Sequence, residues 1–167
     1  PALDKVGADY ESGRAFLPQL LSAAQAAQSV FAVIQEKLAA TGGESVRKEK
    51  IIIATVKGDI HDIGKNIVKT VMGNYGYEIL DLGRDVAPEA IVDATLREDV
   101  RLVGLSALMT TTLPAMEETV RQLQQLPNPP AIMLGGAVVT PEYAESMGAH
   151  YARDAKAAVE IARSILI

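Results

Sequence analysis

Residues 51–82 read IIIATVKGDIHDIGKNIVKTVMGNYGYEILDL. Ile51–Val56 and Tyr77–Leu82 are short, largely apolar runs of strand length, whereas Gly64–Tyr75 has apolar residues at helical spacing. A strand, a helix and a second strand in this order are typical of a βαβ unit, whose two strands run parallel. This stretch therefore predicts the beginning of a parallel sheet.

The same alternation of strand and helix patterns continues from this unit to the end of the chain. Five strands with helices on both faces predict an α/β fold, a flavodoxin-like doubly wound parallel sheet. The further strands are predicted at Leu102–Ser106, Ala131–Leu134 and His150–Arg153, and the further helices at Pro88–Glu98, Pro114–Leu126, Pro141–Met147 and Asp154–Leu166.

The sequence before this unit has a helical pattern. Apolar residues recur three and four positions apart over Phe16–Ala40, which predicts one long amphipathic helix. Ala2–Asp9 has the pattern of the tail of another helix, so we expect a helical-bundle cap that is truncated at its N-terminus. Thr41–Lys50 is polar and contains glycine, as linkers do. The predicted domains are a helical cap over residues 1–43 and a Rossmann-like domain over residues 44–167.

The composition excludes several classes of function. None of the 167 residues is cysteine, so the chain has no disulfides, no thiolate metal ligands and no cysteine nucleophile. A formal charge of −5 at pH 7 disfavours a nucleic-acid partner. No apolar run approaches the ~18 residues of a membrane span, so no membrane partner is expected. No signal peptide is visible, which makes the cytoplasm the expected location.

Three loops of the predicted sheet are candidates for a binding site. Ligands of such sheets lie beyond the carboxyl ends of the strands, where the strand order reverses. If the order is 2-1-3-4-5, the loops after strands one, three and four line one crevice. These loops are Lys57–Asn66, which is charged and contains a histidine, Ser106–Thr112, which is rich in hydroxyls, and Gly135–Ala137, which is nearly bare backbone.

Several common ligand motifs do not fit these loops. A P-loop has four residues between its glycines and then Lys-Ser/Thr, but five residues separate Gly58 from Gly64, and neither Ser nor Thr follows Lys65. The dinucleotide motif Gly-x-Gly-x-x-Gly is absent from this turn. A phosphoacceptor receiver domain would need an aspartate where Ser106 ends the third strand. Zinc needs three or four protein ligands, and the only other histidine, His150, lies far along the chain, so no zinc site is predicted.

One histidine and the aspartate two residues before it remain. In the pattern Asp59-x-His61, the carboxylate can hydrogen-bond one ring nitrogen and make the other a better metal ligand. A single axial nitrogen suits a cofactor that brings its own equatorial ligands. The alternatives are that Asp59 caps the following helix, that Thr110–Thr112 caps the next one, and that Gly135-Gly136 shapes a turn.

The three loops together match a known motif. Asp59-x-His61-x-x-Gly64, the Ser106 loop and Gly135-Gly136 resemble the cobalamin-binding motif of methionine synthase, corrinoid methyltransfer proteins and some mutases. Ala54–Asn66 and the upstream Phe16-Leu17-Pro18-Gln19 are most similar to cobalamin-dependent methionine synthase. The resemblance extends over essentially the whole chain.

The resemblance implies roles in holding cobalamin. His61 is expected to displace the cofactor's dimethylbenzimidazole and become the lower axial ligand of cobalt, with Asp59 holding the imidazole. Thr112 lies where the family has a serine and is expected to complete a proton relay, so these three residues form the expected catalytic set. The other expected cofactor contacts are Gly58, Ile60, Asp62, Ile63 and Gly64 in the first loop, Ser106, Leu108 and Thr110 in the second, Gly135, Gly136 and Ala137 in the third, Ala155 at the start of the last helix, and Tyr10, Leu17 and Leu20 in the helical cap.

The resemblance also implies an activity. We expect the methyl-carrier module of methionine synthase, which transfers a methyl group from methyltetrahydrofolate to homocysteine through methylcobalamin but does not turn over alone. Its expected partners are the homocysteine- and folate-binding modules of the same enzyme, with a reductive reactivation partner. The alternatives are a stand-alone corrinoid protein of a methanol or methylamine methyltransferase system, a cobalamin-dependent regulator or photosensor, and a mutase carrier.

Overall fold

The structure, a computed structural model, describes residues 2–40 and 49–166. The chain divides into two compact units, Pro1–Lys48 and Glu49–Ile167. The predicted domain boundary after residue 43 lies outside the described residues and stays a prediction. None of the described helices combines the length and the hydropathy that a membrane span requires.

The N-terminal unit contains two helices, α1 (Ala2–Glu11) and α2 (Leu17–Ala40). Both were predicted, and α1 runs two residues further than expected. The Asp9 carboxylate in the last part of α1 pairs with Arg14, which lies beyond the helix, at 2.7 Å. α2 begins at Leu17, one residue later than predicted, and Pro18 lies in its first turn as expected, where a missing N–H leaves no hydrogen bond unmade. The predicted glycine end of this helix, Gly42-Gly43, lies outside the described residues.

The C-terminal unit alternates strands and helices throughout. Its elements are β1 (Lys50–Thr55), α3 (Ile63–Asn74), β2 (Glu78–Asp81), α4 (Pro88–Glu98), β3 (Leu102–Ser106), a 3₁₀ turn (Thr110–Thr112), α5 (Leu113–Gln124), β4 (Ala131–Gly135), α6 (Pro141–Ser146), β5 (His150–Tyr151) and α7 (Ala155–Leu166).

The five strands form one parallel sheet in the order β2-β1-β3-β4-β5, which confirms the predicted flavodoxin-like fold and strand order. Thr55 pairs with Ser106, and Ser106 pairs with Gly135. The last residues of β1, β3 and β4 therefore lie side by side. The three loops chosen from the sequence start at one edge of the sheet.

Both faces of the sheet are buried, which explains why β1 is apolar at successive positions. Ile52 and Ala54 belong to a core on one face with Ile91 of α4 and Leu123 of α5. Ile51 and Ile53 alternate with them and belong to a second core on the other face. The residues that α3 and α7 contribute to this second core include Val71, Met72, Val159 and Ala162.

Several predicted boundaries are wrong by one or two residues, including those of β1, β5 and the last helix. Lys50 was assigned to the linker but belongs to β1, where its ammonium group pairs with Glu98 at 2.6 Å. β5 was predicted to reach Arg153 but ends at Tyr151. Asp154 was placed inside the last helix but precedes it, because its carboxylate accepts the backbone N–H of Ala157 at 2.8 Å as an N-terminal cap does.

Candidate functional site

The candidate site lies at the carboxyl edge of the sheet, where the chain leaves β1. Val56 forms one parallel bridge with Val86, and the loop then passes through His61 to Ile63, the first residue of α3. The His61 side chain is 44% exposed. Its imidazole is therefore accessible at the edge where ligands of such sheets bind.

Asp59, in the same loop, is fully buried and surrounded by five donor groups. Its Oδ1 accepts from Nδ1 of His61 at 2.8 Å and from the His61 backbone N–H at 2.9 Å. Its Oδ2 accepts from the backbone N–H groups of Leu108 at 2.6 Å and Met109 at 3.2 Å, and lies 3.2 Å from the Thr112 hydroxyl. Burial alone would raise the pKa of Asp59, but these hydrogen bonds, led by the His61 backbone, lower it from 3.8 to about 2.

The hydrogen bond to Asp59 fixes which nitrogen of His61 carries the proton. An ionised carboxylate can only accept, so Nδ1 donates and Nε2 is left with its lone pair. Nε2 is therefore the nitrogen available to a metal. The alternative that Asp59 caps α3 is wrong, because Asp62 holds the cap position, without a side-chain hydrogen bond to the helix.

Thr112 contacts Asp59, but its hydroxyl has two acceptors and one proton. Its Oγ1 lies 2.7 Å from the carbonyl oxygen of Met109 and 3.2 Å from Oδ2 of Asp59. The shorter contact favours donation to the carbonyl. The threonine methyl, which a serine lacks, lies 3.5 Å from where a Cβ on Gly58 would stand. The hydroxyl is present for the predicted relay, and whether a relay operates stays a prediction.

The third loop approaches its neighbours too closely for side chains. A Cβ on Gly136, whose φ is +115°, would stand 1.9 Å from the carbonyl oxygen of Ala107. A Cβ on Gly135 would stand 3.0 Å from the carbonyl oxygen of Ala152. Both glycines are thus explained by contacts within the protein, which supports the alternative that they shape a turn. Their predicted contact with the cofactor stays a prediction.

Three apolar side chains are exposed around the imidazole loop. Ile60 is 60% exposed, Ile63 is 79% exposed, and Leu108 in the neighbouring loop is 43% exposed. Leu108 is tied to the His61 loop through Asp59. Several large apolar side chains next to an exposed histidine suit a broad, partly apolar ligand that carries a metal.

The remaining predicted contacts occupy varied positions at this edge. Ser106 is half-buried at the end of β3, and Thr110 is exposed one residue after Met109. Gly64 and Ala137 are exposed, and Ala155 is half-buried at the first position of α7. Among the described residues, neither the Ser106 nor the Thr110 hydroxyl makes a hydrogen bond that would assign it a role, and Gly64, Ala137 and Ala155 have no polar side chain, so these contacts stay predictions.

The predicted cap residues lie in the N-terminal unit. Tyr10 is exposed on α1, while Leu17 and Leu20 are half-buried on the first turns of α2. Their predicted contact with the cofactor's upper face stays a prediction. Among the described residues, no group of three or more His, Asp or Glu side chains could hold a bare metal ion.

The loop after β2 also belongs to the site, although no role was predicted for it. Oδ1 of Asp85 accepts the backbone N–H of Gly58 at 2.7 Å, and the Asp85 N–H donates to the Asp59 carbonyl oxygen at 2.9 Å. Asp81, at the end of β2, pairs with the buried ammonium group of Lys65 just after the histidine loop. Burial would raise the pKa of Asp81, but the hydrogen bonds, led by Lys65, lower it. The signal that could have revealed this loop is Gly83-Arg84-Asp85, turn residues at a strand's carboxyl end.

Both parts of the chain match known protein families. Residues 49–162 match a family model described as a B12 binding domain, and residues 1–35 match a second model with the same description. Dimethylamine corrinoid protein 3 of Methanosarcina mazei is 36% identical over 98% of this chain and 99% of its own length.

Two solved structures are similar over nearly the whole chain. The first, of a novel cobalamin-binding protein from Desulfitobacterium hafniense, has a TM-score of 0.80 and 34% identity, and the match covers 97% of this chain and 77% of that one. The second is a methanol:cobalamin methyltransferase complex from Methanosarcina barkeri, with a TM-score of 0.79 and 29% identity over 98% of this chain and 63% of that one.

These relatives overturn the assignment to methionine synthase. The expected function as its methyl-carrier module, the expected enzyme class and the expected homocysteine- and folate-binding partner modules are wrong, because the similar proteins are corrinoid proteins and a methanol:cobalamin complex. Methionine biosynthesis has no support either. The motif could not discriminate between these proteins, since Asp59-x-His61-x-x-Gly64 resembles a motif that methionine synthase and corrinoid methyltransfer proteins share. The chain belongs to the family of B12-binding corrinoid proteins.

Proposed function

We propose that this chain is a corrinoid protein of a methylamine or methanol methyltransferase system. In this role it holds cobalamin and carries a methyl group for a methyltransferase that is a separate subunit. The proposal is supported by similarity over 99% of the length of a dimethylamine corrinoid protein and by the fold shared with a methanol:cobalamin methyltransferase complex.

One observation carries the proposal: the exposed His61 has its Nδ1 bound by buried Asp59, so Nε2 is available at the ligand-binding edge of the sheet. Ile60 and Ile63 of the same loop and Leu108 of the neighbouring loop expose apolar side chains. Cobalamin would take one nitrogen ligand from the protein and would cover apolar surface with the face of its ring, so the residues present fit this group. His61 would supply that nitrogen.

Cobalamin, when bound, supplies a cobalt centre that can accept and release a methyl group. The protein's part is to hold one imidazole in a fixed orientation and tautomer, which Asp59 does through two hydrogen bonds to His61. The exposed isoleucines and Leu108 would exclude water from the lower side of the ligand. Thr112 keeps a hydroxyl beside the Asp59 carboxylate.

The axial assignment can be tested by reconstitution with hydroxocobalamin. The absorption spectrum of the wild-type chain is compared with those of His61→Ala and His150→Ala. His150 is a matched control, because it is also exposed but starts β5, at the amino edge of the sheet. We expect a changed spectrum for His61→Ala alone. Identical spectra for all three proteins would show that His61 is not the axial ligand.

The methyl-transfer role needs a second test with a separate enzyme. The loaded protein is first reduced with a chemical reductant under anaerobic conditions and is then mixed with a purified dimethylamine or methanol methyltransferase and its substrate, and methylation is followed by absorption. We expect methylation only when enzyme and substrate are both present. The negative control is the loaded protein mixed with homocysteine and methyltetrahydrofolate without added enzyme. Absence of methylation with methyltransferases for methanol and for each methylated amine would contradict the proposal.

A further inference from the structure

Asp85 has a backbone conformation that is uncommon for residues other than glycine. Its φ is +54°, and Asp99, with φ +49°, is the one other non-glycine residue of the described chain with positive φ. L-residues avoid this region because Cβ crowds the backbone, although aspartate tolerates it better than most. Such a conformation persists where surrounding contacts enforce it.

The contacts that enforce this conformation of Asp85 are made with the histidine loop. Asp85 receives the Gly58 N–H on its side chain at 2.7 Å and gives its own N–H to the carbonyl oxygen of Asp59 at 2.9 Å. These are the peptide groups on either side of the short segment from Gly58 to Asp59. The residue therefore holds both ends of the segment that positions the buried carboxylate.

The segment around Asp85 is itself fixed to the sheet. The Gly83 carbonyl accepts the N–H of Thr55 at 3.0 Å, and the Val86 N–H donates to the Thr55 carbonyl at 3.1 Å. Val86 also bridges Val56. Asp85 thus lies in a segment that is hydrogen-bonded to the end of β1. Its own hydrogen bonds can therefore hold the loop after β1 in a fixed position.

We propose that Asp85 is a positioning residue, which acts through Gly58 and Asp59 to hold the His61 imidazole for axial ligation. The inference rests on the proposed function. The hydrogen bond from the Gly58 N–H requires an acceptor on the side chain of residue 85 but not a charge. An amide at this position can therefore replace the carboxylate. A hydrogen bond to a charged acceptor typically changes an equilibrium about tenfold or more.

The test compares variants that separate the acceptor from the backbone conformation. Asp85→Gly keeps access to positive φ but removes the acceptor. Asp85→Asn keeps both and removes the charge. Asp99→Gly is the matched control, because it makes the same change at a positive-φ aspartate that ends α4, at the other edge of the sheet. Asp85→Ser, with a side chain one atom shorter, replaces Asp85→Gly if that variant does not fold.

Two readouts are measured. The first is amide hydrogen exchange of Gly58 in the cofactor-free protein, which we expect to be about tenfold faster in Asp85→Gly and unchanged in Asp85→Asn and Asp99→Gly. The second is the pH at which protein loaded with hydroxocobalamin loses the spectral signature of nitrogen ligation. Because weaker ligation lets the imidazole detach at a higher pH, we expect this midpoint to rise by about one unit in Asp85→Gly only.

The outcomes distinguish the two proposals. If His61→Ala alters the spectrum and Asp85→Gly leaves both readouts at wild-type values, the positioning role of Asp85 is wrong and the proposed function stands. If Asp99→Gly shifts both readouts equally, the effect is general destabilisation and the positioning role is again wrong. If His61→Ala has a wild-type spectrum, both proposals fail. Faster Gly58 exchange and a higher pH midpoint in Asp85→Gly, with wild-type values of both in Asp85→Asn, support the positioning role.

Discussion

Replacing Asp59 by asparagine should destabilise the cofactor-free protein in a pH-dependent way. The pKa of Asp59 is about 2 in the folded chain and 3.8 in its ordinary range. This difference corresponds to about 2 kcal/mol of stability at neutral pH, since one pKa unit is about 1.4 kcal/mol. Asparagine also places an amide N–H₂ where Leu108 and Met109 donate, and an orphaned buried N–H costs about 1–3 kcal/mol more.

The sign of the pH dependence follows from the lowered pKa. A carboxyl group with a depressed pKa in the folded state contributes stability that is present above its unfolded pKa and is lost as the pH falls through its folded pKa. The wild-type advantage over Asp59→Asn should therefore be complete above about pH 5 and should shrink by about 2 kcal/mol on approach to about pH 2.

The assay is urea unfolding followed by far-UV circular dichroism, at neutral pH and at several acidic pH values. Asp62→Asn is the matched control, because Asp62 lies in the same loop, is half-buried and makes no capping hydrogen bond to α3. Its unfolding free energy should change by less than about 0.5 kcal/mol. A difference between wild type and Asp59→Asn that is below this value, or that stays constant between neutral and acidic pH, would refute the reasoning.

Two further substitutions test the loops around Asp59. Gly136→Ala should lower the free energy of unfolding by about 3 kcal/mol more than Gly76→Ala in urea titrations, because both glycines have positive φ but only Gly136 lacks space for a Cβ; equal losses would contradict the close approach to Ala107. Thr112→Val should cost about 1–2 kcal/mol by the same measurement, because it removes the hydroxyl between Asp59 and Met109, whereas Thr111→Val, at an exposed neighbour, should be nearly neutral; similar losses in both variants would show that the Thr112 hydroxyl contributes nothing.

The fold was predictable from the sequence because periodicity and burial agree in this chain. β1 is buried on both faces, so its apolar run is continuous, and the prolines that begin α4 and α6 mark helix starts. Boundaries failed where a side chain decided the end of an element. Asp154 was placed inside the last helix, although aspartate is a preferred N-cap residue, and its contact with the Ala157 N–H shows that it caps α7 from outside.

The candidate site was only partly predictable. The pairing of Asp59 with His61 follows from their separation by two residues, a local feature that the sequence displays. The contribution of Asp85 does not, because it depends on a hydrogen bond between residues 27 positions apart. The sequence also did not discriminate methionine synthase from the corrinoid proteins, since the residues that hold the histidine loop carry no information about a partner protein.

The shared use of one carboxylate by two loops has a consequence for protein design. Three of the five donors around Asp59 come from the turn after β3, namely Leu108, Met109 and Thr112. A histidine loop transplanted alone onto another flavodoxin-like sheet would bury an anion with most of its solvation missing. An engineered B12 carrier must therefore receive both segments together, on two adjacent strands in the register that joins Thr55 to Ser106.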